Sequence, residues 1–336
     1  MISALEYFRA EGDDPYENLA LEKILTLGVK EGECVLFLWQ NRDTVVIGRN
    51  QNAWEECALE RFRARGGRLA RRLSGGGAVY HDLGNLNFSF AARKEDYDPV
   101  RQTEVILRAV RALGVPAEGT GRNDIEAEGR KFSGSAYFEK SLRCCHHGTL
   151  MMDVDLERME EALTPPRAKL SSRGVSSVRK RVVNLKSFCP SLDRAMLESA
   201  LLEAFREVYG LAPAQRSVPD GEEVRRERAL MASDEWILGR RIPFSAAAEK
   251  RFPWGGVRLE MAVREGSVRE AACLSDAMDA DMIRMIARAL EGCPYESGAM
   301  ARRVLDAVPA PGGAQRERMA ADVADMILEQ VRGTGK

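Results

Sequence analysis

Neither sign of charge is in excess in this 336-residue sequence: 50 Lys and Arg stand against 51 Asp and Glu. That excludes the basic surplus of an obligate nucleic-acid binder and the polybasic anchor of a membrane-surface protein. No apolar run reaches the ~18 residues that a spanning helix needs. The opening MISALEYFRAEGDDPYENL carries acids early and lacks the apolar centre of a secretory signal. There are three histidines, too few for a zinc site to be expected, and no cysteine pair has zinc-type spacing. The seven cysteines (Cys34, Cys57, Cys144, Cys145, Cys189, Cys273, Cys293) are odd in number, and Cys144 and Cys145 are adjacent, which suits neither a bridge nor a tetrahedral site. The expectation is a cytoplasmic monomer with reduced thiols, and with neither nucleic acid nor membrane as a partner.

What is present fits a globular chain long enough for two domains. Asp13 and Asp14 ahead of Pro15 predict a capped helix with Leu19, Ile24, Leu25 and Leu27 inward. Residues 34–40 and 44–49 read as strands joined in a hairpin by Asn41-Arg42-Asp43, and 54–65 as a helix stopped by Gly66 and Gly67. In 86–90, Leu86, Phe88 and Phe90 alternate with Asn87 and Ser89, the period of a half-buried strand. A helix is expected over 99–113, a hairpin over 124–138 turning near Gly129, a strand over 146–156, a short helix over 156–163 and a longer one over 192–209. Residues 164–188 read as a surface loop, and 213–228 as a loop or frayed helix. Composition changes near Pro243, dividing the chain into 1–244 and 248–336. The second part shows two strands around Gly266, then helices near 279–290, 297–307 and 314–331, a small α+β pattern.

The sharpest chemical feature runs Arg71-Arg72-Leu73-Ser74-Gly75-Gly76-Gly77-Ala78-Val79-Tyr80-His81-Asp82. Consecutive glycines bring backbone N–H groups close to a ligand with no Cβ in the way, and such a turn cradles phosphate or carboxylate. The arginines add fixed charge in bidentate geometry. Taken alone, the run is more often a flexible turn beside a solvated basic strand. It is neither a P-loop nor a dinucleotide fingerprint, because the spacing fits neither.

Gly121-Arg122-Asn123-Asp124-Ile125 precedes Gly129-Arg130-Lys131-Phe132-Ser133-Gly134-Ser135-Ala136. Lys131 stands between a turn and small residues, where a ligand can come close and an ammonium can neutralise a carboxylate and then a phosphate. Asn123 and Asp124 can orient a ligand or hold Mg2+. Alone, this is a hairpin with an exposed lysine. His146 and His147 face opposite sides of a strand and cannot easily share a metal. No feature near Cys144 and Cys145 lowers a thiol pKa.

Together with VVIGRNQNAWEE (45–56), LGNLNFSF (83–90), HHGTLMMDVDL (146–156), SSRGVSSVRKRVVNL (171–185), IPFS (242–245) and RFPWGGVRLE (251–260), these segments resemble the lipoate–protein ligase family, in the right order over nearly the whole chain. The resemblance implies an α/β (α+β) catalytic domain on a mixed sheet, as in biotin and lipoate ligases, and a small C-terminal α+β accessory domain. It implies ATP-dependent activation of free lipoate to lipoyl-AMP, with loss of pyrophosphate. The lipoyl group then passes to a lysine on lipoyl domains of 2-oxo acid dehydrogenase complexes or on the glycine-cleavage carrier protein. Lys131 matches the catalytic lysine. Arg72, Gly77, Ala78, Val79, Tyr80 and Lys131 match the ATP contacts. Ser74, Gly75, Gly76, Lys131, His147 and Gly148 match lipoate contacts, and Asn123 and Asp124 match positions that orient the adenylate and Mg2+, with Asp124 as metal ligand. A loop over 171–183 is expected to close over the adenylate.

Two departures stand: the turn from Asp124 to Lys131 is short, and 213–235 matches nothing. A lipoyl or octanoyl transferase on the same fold would need a nucleophilic cysteine, and the stretch before Lys131 has none. The glycine-arginine loop of biotin ligases is absent. A non-catalytic lipoate-binding protein is the rival from another class.

Overall fold

The computed structural model describes residues 1–57, 59–120, 123–163, 181–239, 242–308 and 313–331, in two compact units. The first unit comprises Met1–Ile47, Ala53–Leu73 and Ala78–Ile237; the second comprises Gly48–Asn52, Ser74–Gly77 and Leu238–Lys336.

In the first unit, Asp14 caps helix α1 (Pro15–Gly28) by accepting from the Tyr16 N–H, and Pro15 fills a first-turn position that needs no amide donor. An eight-stranded mixed sheet has the order β11 (Pro213–Arg216), β1 (Ala4–Arg9), β2 (Glu33–Trp39), β6 (Asn85–Arg93), β10 (Arg143–Met151), β9 (Arg130–Lys140), β8 (Asp124–Ala127), β7 (Ala117–Gly119). Strand β1 runs parallel to both its neighbours, and the pairs from β2 onward are antiparallel. A second sheet has β3 (Thr44–Ile47) between β4 (Arg68–Arg71), parallel to it, and β5 (Val79–His81), antiparallel.

Side-chain alternation gives the large sheet two different faces. Leu36, Leu38, Phe88 and Phe90 share one apolar core with α4 (Pro99–Ala112) and α6 (Arg194–Tyr209). Val35, Phe37 and Trp39 share another with α1, the small sheet and α7 (Glu222–Ala232). Full burial of a ring such as Phe88 contributes roughly 2–3 kcal/mol.

Several expectations change. The hairpin expected between β2 and β3 is absent, because the two strands enter different sheets. The helix expected over 54–65 is two short ones, α2 (Ala53–Glu56) and α3 (Leu59–Ala64), and Cys57 between them bridges to Leu163. Strand β6 is buried on both faces, Asn87 and Ser89 included. Segment 213–228 holds the edge strand β11 and the start of α7, followed by α8 (Asp234–Leu238). The surface loop expected over 164–188 falls outside the described residues as far as residue 180.

The second unit is built on an antiparallel sheet, β12 (Ala246–Phe252), β13 (Gly255–Arg264) and β14 (Ser267–Ser275), with helices α9 (Ala280–Leu290), α10 (Ser297–Asp306) and α11 (Ala314–Gln330). Strand β12 was not expected from the sequence. Leu259, Met261, Ile283, Ile286, Val304 and Val323 fill its core. Among the described residues no helix is long and apolar enough to cross a membrane.

Candidate active site

The turn of the β8–β9 hairpin is made by Glu128 and Gly129, both at positive φ (51° and 71°). Pairing then slips: Ile125 opposes Ser133, but Glu126 opposes Lys131, leaving Phe132 as an extra residue on β9. This β-bulge changes which face each residue takes. Without it Lys131 would point with Ser133 and Ile125 into the apolar core. With it Phe132 is fully buried, and Lys131 shares a face with Asp124 and Gly134. The Lys131 ammonium lies 2.8 Å from Asp124 Oδ1, both side chains a little over a third exposed. It passes over Gly134 so closely that a Cβ there would sit 2.8 Å from Nζ. The Ser135 N–H donates to the Asn123 carbonyl at 2.7 Å, which holds Asn123 beside the same strands. Of the loop expected to close over the site, 171–180 lies outside the described residues; its end, Val182 and Val183, runs alongside Lys131, and the Val183 N–H donates to the Lys131 carbonyl at 2.9 Å.

The same face carries His147, paired with Ala136 on β9 and Ser89 on β6. Its Nδ1 donates to Glu22 Oε1 at 2.7 Å. Ser89 Oγ donates to the same oxygen at 2.6 Å, and Trp39 Nε1 donates to Ser89 Oγ at 2.9 Å. Glu22 is 1% exposed, and its Oε2 has no hydrogen-bond partner among the described residues. The adjacent His146 faces the other way, between Gln102 and Ser135 and against the Tyr137 ring, and burial holds its pKa near 3. Gly148 also belongs to that opposite face: a Cβ there would lie 2.5 Å from the Phe88 ring and 2.7 Å from the Gly134 carbonyl. Its glycine is accounted for by core packing.

Across from Glu22, Arg72 stands directly after β4 of the small sheet. Its guanidinium is buried and donates to the Val46 carbonyl at 3.1 Å. Burial pulls its pKa down to about 10, and the Glu22 carboxylate opposes that fall. Burial, then the Arg72 charge, holds His81 at about 3, so this imidazole is neutral. His81 Nδ1 meets Asn41 Nδ2 at 3.1 Å, while Nε2 is buried with no partner among the described residues. Tyr80 donates to Asp43 Oδ1 at 2.8 Å and its ring meets Phe62 edge-on; burial pushes the phenol pKa up. Val79 packs against the core on the α1 side, and Ala78 begins this last stretch of the first unit.

Ser74, Gly75, Gly76 and Gly77 belong to the second unit. The Gly76 N–H donates to the Ala277 carbonyl at 3.1 Å, and Gly76 has φ 90°. A Cβ on Gly75 would fall 2.2 Å from that carbonyl oxygen. Close backbone approach is thus one reason for the glycines here, beside the ligand approach expected from the sequence.

Among the described residues, Glu22, Cys145 and His147 place an oxygen, a sulfur and a nitrogen within 4.8 Å of one another. That donor set suits a softer ion than Mg2+, which prefers oxygen. Asp124 offers such an oxygen at a partly exposed position. Sequence reasoning missed Glu22, Trp39, Ser89 and His81. For Glu22 the signal was helical phase: it lies three residues from both Leu19 and Leu25.

Residues 14–206 match the family model of the lipoyl protein ligase A/B catalytic domain, and residues 242–316 match that of the bacterial lipoate protein ligase C-terminus. The chain belongs to the lipoate–protein ligase family. Solved structures agree in fold. P. falciparum LipL1, in complex with lipoate, superposes with a TM-score of 0.85 at 24% identity, over 97% of this chain and 100% of that one. A bi-partite lipoate protein ligase from T. acidophilum, studied with its E2 lipoyl domain, gives 0.62 at 26% identity, over 72% and 99%. Lipoate-protein ligase A bound with ATP gives 0.60 at 25% identity, over 71% and 99%. In this ligase-family chain burial raises the pKa of the Cys34, Cys57, Cys144, Cys145, Cys273 and Cys293 thiols and makes them poor nucleophiles. Burial pushes Cys144 up to about 11, and burial followed by Glu22 pushes Cys145 well above its ordinary value.

Proposed function

We propose that this chain is an ATP-dependent lipoate–protein ligase, with residues 1–244 as its catalytic domain and 248–336 as its accessory domain. A lipoate carboxylate oxygen attacks the α-phosphorus of ATP; the bond to the bridging oxygen breaks and pyrophosphate leaves. The ε-amine of a carrier lysine then attacks the acyl carbonyl of lipoyl-AMP. The C–O bond to AMP breaks, AMP departs with the electron pair, and the amine gives up a proton. Lipoyl domains of 2-oxo acid dehydrogenase complexes and the glycine-cleavage carrier protein are the acceptors. The T. acidophilum ligase studied with its E2 lipoyl domain and the ATP-bound ligase A support that assignment.

The observation that carries the reading is Lys131. The bulge brings its ammonium onto the face that holds Gly134 and His147, with the Asp124 carboxylate as its ion-pair partner. Bringing two anions together needs fixed positive charge in a closed site, where it stabilises charge most strongly. Lys131 bridges the lipoyl carboxylate and the α-phosphate. Arg72, Gly77, Ala78, Val79 and Tyr80 hold the nucleotide. Ser74, Gly75, Gly76, His147 and Gly148 shape the lipoyl side, His147 directly and Gly148 through packing. Asn123 orients the adenylate. Asp124 releases Lys131 to the ligand and is the residue that fits Mg2+, which supplies charge neutralisation on the phosphates. Water must be kept from the mixed anhydride, and Val182 and Val183 already lie alongside Lys131.

A transferase working through a cysteine thioester is disfavoured by the raised pKa values of Cys144 and Cys145. The test is lipoate-dependent ATP–pyrophosphate exchange, with Lys131→Ala beside the wild type. Exchange in the wild type that falls ~100-fold or more in the variant is expected. A folded wild type that binds lipoate and shows no exchange overturns the reading.

A further inference from the structure

Just past the unmatched segment 213–235, α8 makes contact with the strand that leads into Arg72. Trp236, on α8, donates from Nε1 to the Arg71 carbonyl at 2.8 Å. Arg71 answers with its side chain: Nε donates to the Trp236 carbonyl at 3.0 Å and to the Ile237 carbonyl at 2.9 Å. Arg71 is 3% exposed. Among the described residues β4 is the edge of its sheet, bonded to β3 on one side only. The indole therefore takes up a carbonyl at the open edge that β4 forms among the described residues.

The helices behind Trp236 are braced. Lys23 on α1 meets Glu227 on α7 at 2.5 Å, with both side chains under a sixth exposed. Arg228 on α7 meets Asp14, the α1 cap, at 2.5 Å. Val224 and Met231 of α7 lie in the same apolar core as Ala70 of β4. The pair α7–α8 is thus a bracket fixed to α1, and the Trp236–Arg71 contacts fasten β4 to it.

Arg72 is the residue directly after β4, and consecutive residues of an extended chain point to opposite faces. Arg71 points to α8, and Arg72 points to the other side, where its charge is felt by Glu22 and His81. Arg72 is itself pinned by its backbone, its N–H donating to the Ile47 carbonyl at 3.0 Å. A buried guanidinium cannot reach a ligand by swinging through solvent, so its placement follows β4, the strand that leads into it.

We infer that Trp236 is a positioning residue for Arg72: the indole N–H sets the end of β4, and through it the site of nucleotide binding, without touching the nucleotide. This rests on the ATP-binding role proposed above for Arg72. The probe is Trp236→Phe, which keeps an aromatic body and removes the N–H. Trp254→Phe in the second unit is the control, because it loses a comparable bond, Nε1 to Asp322 at 2.7 Å, away from β4. ATP and lipoate affinities are measured by calorimetry on the full chain with Mg2+ present, and exchange is run in parallel.

Loss of one buried hydrogen bond shifts an equilibrium by roughly two- to tenfold. Trp236→Phe is expected to weaken ATP by about fivefold, with lipoate affinity within about twofold of wild type. Trp254→Phe is expected to change neither. An unchanged ATP affinity in Trp236→Phe overturns the inference, as does an equal loss for ATP and lipoate, which marks a merely structural bond. A wild type that binds ATP without exchange overturns the ligase reading while the affinity comparison still decides the role of Trp236. A wild type that does not bind ATP overturns both.

Discussion

Lys131 and Gly134 are neighbours in space because Phe132 is an extra residue on β9: the slip that buries the phenyl ring turns the lysine across the glycine, with a virtual Cβ only 2.8 Å from its ammonium. The bulge does two jobs with one residue, adding a ring to the core and bringing a charge out of it.

Gly134→Ala is expected to displace that ammonium while leaving the fold intact, because the atoms in the way belong to a flexible side chain. Exchange should fall by about 10- to 100-fold, the usual cost of a misplaced catalytic group, with the unfolding midpoint in urea unchanged. Full exchange activity in the alanine variant would show that Lys131 does not need its present course.

Gly148→Ala should behave in the opposite way. The added methyl meets the Phe88 ring at 2.5 Å and a backbone oxygen at 2.7 Å, neither of which can give way. Overpacking of this kind costs about 1–3 kcal/mol. Urea unfolding should show it as a lower midpoint with an unchanged slope. Wild-type stability in the variant would mean that the two strands can part there at little cost.

His81 and His146 predict an acid limit to stability. Both have folded pKa values of about 3, depressed by burial from an ordinary 6.5. Between those values the unfolded chain binds the protons and the folded chain does not, so stability falls as pH drops below about 6.5. The two together give a slope approaching ~3 kcal/mol per pH unit well inside that window. Urea titrations between pH 7 and pH 5, above most carboxylate titrations, measure it. A flat profile there would place at least one imidazole in contact with water.

Much of this was legible because it is local. Asp14-Pro15 announces the α1 start, Gly129 the turn, and the glycine run a close backbone approach. What was not legible is set by partners distant in sequence. Asn41-Arg42-Asp43 has the composition of a hairpin turn, yet β2 and β3 separate into different sheets, a choice made by β6 and β4 rather than by the turn. Asn87 and Ser89 read as solvent-facing because polarity alternates there, but their face is covered by α1, where Ser89 meets Glu22. The bulge at Phe132 has no composition signal at all. Trp236 belongs to no motif, and only its bond to Arg71 reveals what the indole nitrogen is for.

His146 and His147 are consecutive, yet one is locked among Gln102, Ser135 and Tyr137 and the other bonds to Glu22 across the sheet. Along β10 this separation repeats at every step. Odd positions there meet α1, as Cys145 and His147 do at Thr26 and Glu22, while even positions such as His146 and Leu150 belong to the core shared with α4 and α6.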